Sequence, residues 1–110
     1  MCKYIQFIKN AGGCVASKNI LSGKGKLKWC VREKSVNEVD NGWRFFSDID
    51  TDDYLSVSSN MSICDFNTVA SIEPAILSIY NCKIGTDIEV VRENNKIVFL
   101  DNNTHKRISV

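Results

Sequence analysis

Four carboxylates fall within six residues, at Asp48, Asp50, Asp52 and Asp53. Carboxylates at alternate positions open a calcium loop, where their oxygens converge on one ion. A calcium loop of the helix–loop–helix type also needs glycine at its sixth position and a bidentate glutamate at its twelfth. Asp53 and Ser59 stand there instead, so no metal is assigned. The stretch reads as a solvated acidic loop or as part of a partner-binding surface. Arg44, just upstream, either pairs with a neighbouring carboxylate on the outer strand face or contacts that partner.

The other reactive residue types do not assemble into a catalytic set. Cys2, Cys14, Cys30, Cys64 and Cys82 contain no C-x-x-C pair. Thiol catalysis needs a base within hydrogen-bond reach, and the one histidine, His105, falls in a polar tail expected to fray. Glu33 and Asp40 could form a carboxylate pair, but no substrate feature accompanies them. Gly23-Lys24-Gly25 lacks the spacing of a phosphate loop. The reading is a non-enzyme without a cofactor.

The acidic stretch must be positioned by what precedes it. Asp40-Asn41-Gly42 is a turn signal, because Asn and Gly tolerate positive φ. Trp43, Phe45 and Phe46 then mark a core strand, since one large aromatic buries roughly 150–250 Å². Lys26–Lys34 alternates with period two, Leu27, Trp29 and Val31 pointing one way. It is expected to lie antiparallel to the aromatic strand, with Trp29, Trp43, Phe45 and Phe46 as the structural core. Cys14–Ser17 and Met61–Cys64 read as short strands. Asp65 or Asn67 can cap a helix, and Pro74 starts a second one, with Ile72, Ile76, Leu77 and Tyr80 on one face. Residues 87–92 and 96–100 flank Glu93-Asn94-Asn95 as a hairpin. Tyr4, Ile5, Phe7 and Ile8 fit a strand or a short helix. The expected fold is α+β: a single domain over residues 1–110, with a twisted, mostly antiparallel sheet and one or two short helices packed on it.

Charge is unevenly distributed. Residues 1–32 carry seven basic side chains and no acid, whereas residues 33–53 carry seven acids against Lys34 and Arg44. Either the two segments neutralise each other or the surface is dipolar. The net charge of +1 gives no general attraction to nucleic acid or membrane. The odd cysteine count and the lack of a secretory or membrane-spanning stretch place the chain in a reducing cytoplasm.

Several pieces together resemble the immunity-protein-33 family, small bacterial domains formerly of unknown function. They are Cys14-Val15-Ala16-Ser17, Arg32-Glu33, residues 40–47, Asp50-Thr51-Asp52-Asp53-Tyr54, Asp65–Ala70, Glu73–Leu77 and Ile84-Gly85-Thr86. The resemblance is strongest over residues 14–90. Asp48 replaces a usual glycine and Glu73 a usual aspartate. The resemblance implies a protein that neutralises a cognate toxin by stoichiometric binding, and it carries no catalytic residues. It does not fix the oligomeric state. The residues alone leave open an intracellular regulatory or small-ligand-binding module.

Overall fold

Asp40–Ser47 forms the longest strand, and the rest of the chain is laid against it. The computed structural model describes residues 7–108. In chain order the elements are β1 (Gly13–Ser17), α1 (Lys18–Leu21), β2 (Leu27–Arg32), β3 (Asp40–Ser47), α2 (Asp52–Leu55), β4 (Met61–Asp65), α3 (Phe66–Ile72), β5 (Asp87–Glu93) and β6 (Lys96–Asp101). Short 3-10 helices cover Ser58–Asn60 and Pro74–Ile79. The six strands make one sheet in the order β4-β1-β3-β2-β5-β6. Only the β1–β3 pairing is parallel. The architecture is α+β, as the sequence indicates, with two further short helices, α1 and α2, that it did not announce.

Local chemistry explains the boundaries. Ser17 Oγ accepts from Asn19 N–H and caps α1, and Asp65 accepts from Asn67 N–H and caps α3. Glu73 leaves the helical region because the residue before a proline is pushed toward extended backbone. That break turns Ile72 outward, so it does not share a face with Ile76, Leu77 and Tyr80. Asn94 and Asn95 both take positive φ, the requirement of a tight hairpin turn between β5 and β6. Gly42 also has positive φ, but inside β3, and a Cβ there would strike the Glu33 carbonyl oxygen. Asp40-Asn41-Gly42 is therefore the start of the strand, held against β2, and not the turn before it.

One sheet face carries the core. Trp43 stacks on Phe45 at 5.9 Å, Phe45 meets Phe66 at 5.8 Å, and Phe66 meets Tyr80 edge-on at 4.8 Å. Ile20, Val69, Ile76 and Ile79 close over them from the helices. Arg32 lies over the Trp43 ring and donates to Asn41 O, Tyr80 O and Cys82 O. The buried Asn67 side chain accepts from Phe7 N–H and Ile8 N–H, tying down the start of the described chain.

Two expected core residues lie elsewhere. Trp43 and Phe45 are fully buried, but Trp29 and Phe46 are half-buried on the opposite face. A register shift between Leu27 and Trp29 breaks the simple alternation, so Leu27 and Cys30 point inward in β2. Phe46 follows Phe45 on a strand and so must face the other way. The polar tail is also held: Ile108 N–H donates to Phe99 O, and Arg107 bridges to Leu100. Residues 7–10 form a bend and turn, and the reading of Tyr4 and Ile5 lies outside the described residues, as does Cys2.

Candidate functional site

The second sheet face is built from two cross-strand rows. Partner residues in adjacent strands share a face. One row runs Ile63, Val15, Arg44, Val31, Asp87 and the next runs Phe46, Trp29, Glu89, Leu100. Most of these side chains are half-buried, whereas the core face is sealed by helices. Lys28 sits over the Trp29 ring and pairs with Glu89 at 2.8 Å.

Arg44 stands at the centre of this face. Its guanidinium grips both oxygens of Asp40, at 2.9 and 2.8 Å, and reaches Glu33 at 3.2 Å. The Arg44 and Asp40 side chains are only 9% and 8% exposed, while Glu33 is 61% exposed. The Arg44 hydrogen bond holds the Asp40 carboxyl well below the usual carboxylate range, helped by Val36 N–H and Gly42 N–H and opposed by burial. Arg44 is raised in turn by Asp40. The guanidinium thus has its charge and geometry already satisfied within the chain.

An apolar rim borders this ion cluster on the Asp40 side. Val36 and Val39, in the loop before β3, and Ile63, on the edge strand β4, are 78%, 71% and 84% exposed. Together with Val15 and Asp40 they line a small depression of about 50 Å³. Sequence reasoning missed this rim. Val36 and Val39 sit in a polar connection, and only the β1–β4 pairing brings Ile63 beside them.

The acidic loop lies at the far end of β3 and its four carboxylates do not act together. Asp50 turns inward, accepting from Ser17 Oγ and Asn19 Nδ2 at 2.8 Å each and from Ser47 N–H at 2.6 Å. Burial raises its pKa, but these hydrogen bonds outweigh that and hold it below the ordinary range. Asp48 accepts from Lys26 N–H. Asp52 and Asp53 stand in the first turn of α2, capped by Thr51, and are exposed. No ion pair among the described residues joins the basic first third of the chain to residues 33–53. With Asp48 and Asp50 bonded to different backbone segments, the loop does not gather its oxygens on one point. Among the described residues no three His, Cys, Asp or Glu side chains stand close enough to hold a metal ion.

A separate cleft of about 710 Å³ lies between the Pro74–Ile79 helix and the β5–β6 hairpin, lined by Leu77, Ile97, Phe99 and Ile108 among others. The Glu93–Arg107 ion pair borders it. No helix among the described residues is long and apolar enough to cross a membrane.

The sequence model of the family described as the Immunity protein Imm33 domain matches residues 14–101. That span begins one residue into β1 and ends with β6, so it takes in all six strands but for Gly13. No curated protein and no solved structure matches the chain.

Proposed function

The chain belongs to the Imm33 family of immunity proteins, and on that premise we propose that it neutralises a cognate toxin by stoichiometric binding in the bacterial cytoplasm. The observation that carries this reading is the exposed apolar rim of Val36, Val39 and Ile63 beside the nearly buried Arg44–Asp40 ion pair. Contiguous exposed apolar residues with a polar surround mark protein contact surfaces. The Arg44–Asp40 pair fixes the shape of the rim and is itself neutral, leaving the exposed Glu33 carboxylate as the cluster's net charge. Asp52 and Asp53 add an outward negative potential that steers a basic toxin surface, while Asp48 and Asp50 brace the loop that presents them. Binding of this kind needs no catalytic residue and no cofactor.

The test is co-expression with the product of the adjacent gene. A complex of equal stoichiometry and restored growth are expected. Continued growth arrest with no complex overturns the reading. A second reading, a small-ligand-binding module, is favoured by the cleft beside Leu77 and Phe99. Under that reading, metabolite mixtures raise the melting temperature, and Phe99→Ala removes the increase.

A further inference from the structure

We propose that Cys14 and Cys64 are a redox-responsive pair that closes into a cross-strand disulfide when a small disulfide such as oxidised glutathione supplies the oxidising equivalents. The two residues are direct partners in the antiparallel β1–β4 ladder, and their sulfurs lie 3.9 Å apart. Both are free thiols. The bond from Phe66 N–H to Gly12 O continues the same ladder register. It makes Cys14 and Cys64 a hydrogen-bonded pair, whose Cα atoms stand about 5.5 Å apart in such ladders. Disulfides span Cα separations of roughly 4.4–6.8 Å, so the backbone is already within range and the sulfurs must approach by about 1.9 Å.

The two thiols are not equivalent. Cys14 is buried on the core face of β1, and Cys64 is half-buried on β4, whose other edge pairs with no described strand. An oxidant therefore reaches Cys64 first. The Cys14 S–H, held against the Cys64 sulfur, favours the Cys64 thiolate and pushes Cys14 itself up. The Cys64 thiolate attacks one sulfur of oxidised glutathione, forming a mixed disulfide and expelling one glutathione thiolate. Cys14 then loses its proton to solvent and attacks the Cys64 sulfur, expelling the second glutathione. The two protein thiols are oxidised by two electrons, and one glutathione disulfide is reduced to two glutathione thiols. Among the described residues no other two cysteine sulfurs are in contact. Closure ties the free edge strand to the sheet interior across 50 residues of chain. The same edge displays Ile63, so oxidation rigidifies that part of the second face.

The test oxidises the reduced, full-length protein with excess oxidised glutathione, blocks remaining thiols in denaturant, and maps peptides without reduction. The expected result is a dominant peptide joining Cys14 to Cys64 and two fewer blocked thiols. A melting temperature raised by roughly 5 °C or more accompanies it. Cys64→Ser, at a half-buried position, abolishes the linked peptide and the shift. A persistent glutathione adduct on Cys64 with Cys14 still open to blocking overturns the proposal. So does a dominant disulfide joining any other two cysteines.

Discussion

At the Asp40 end of β3 the charges face one another, and at the Ser47 end they face uncharged hydrogen-bond donors. Arg44 and Asp40 are nearly buried and neutralise each other by two parallel hydrogen bonds. Asp50 is balanced by two side-chain donors and a backbone N–H, with no ion pair among the described residues. The first arrangement leaves an apolar rim exposed beside it. The second consumes Asp48 and Asp50 in loop construction and leaves Asp52 and Asp53 outward. A run of carboxylates therefore overstates the charge available to a partner, and a lone arginine in a strand overstates it too.

The largest expected effect is at the paired end. Asp40→Asn leaves Arg44 almost buried, with the exposed Glu33 its one remaining counter-charge among the described residues. Removing one partner of a buried pair costs about 3–5 kcal/mol, read from urea unfolding at neutral pH. Because Asp40 is held below its unfolded value, its contribution is complete above about pH 4 and is lost as pH falls further. The wild type should therefore lose stability on acidification more steeply than Asp40→Asn. Parallel acid profiles would mean the ion pair does not set this end of the strand.

Asp50→Asn comes next, at about 2 kcal/mol, the scale of hydrogen bonds to a charged group. The amide keeps one acceptor oxygen for Ser47 N–H or for Ser17, but not for every donor. Asp48→Asn, exposed and holding a single backbone bond, should cost less. Equal unfolding free energies for Asp50→Asn and Asp48→Asn would erase the distinction drawn between the two carboxylates.

The same contrast explains what the sequence made legible. The strand character of β2, β5 and β6, the asparagine turn, the Asp65 cap and the Pro74 break are local signals that the structure reproduces, although the alternation within β2 is not kept. The inward turn of Asp50 depends on Ser17 and Asn19, more than thirty residues away, and no local pattern encodes that approach. The parallel β1–β3 pairing is equally non-local. Trp29 faces away from the core because a register shift of one residue reverses the face of everything beyond it. The order of the tail is invisible in its composition because its backbone bonds to Phe99 and Leu100 ask nothing of side-chain type.

The third expected effect is on binding at the paired end. Ile63→Asp and Val36→Asp alter exposed side chains, so stability should change within about 0.5 kcal/mol. If the rim is the contact, each should weaken toxin binding by roughly 30-fold or more, the scale of a hot-spot residue. Titration calorimetry against the inactivated toxin reads it. Unchanged affinity in the double variant would remove the rim from the interface.

The smallest effect belongs to the outward acids. Asp52 and Asp53 make no side-chain hydrogen bond or ion pair among the described residues, and they stand on a four-residue helix with no buried side chain. Replacing both by Asn keeps their size and removes two negative charges. Each carboxylate also favours its helix N-terminus by about 0.3–1 kcal/mol, so a slight stability loss is expected. Charges outside a close contact act mainly on the encounter rate, and salt screens them over about 10 Å at 0.1 M. The double variant should therefore associate with a basic toxin several-fold more slowly at low salt, with dissociation unchanged, and match the wild type at high salt. An unchanged association rate at low salt would exclude Asp52 and Asp53 from steering. A faster dissociation would instead put them inside the contact and make both ends of β3 part of one interface.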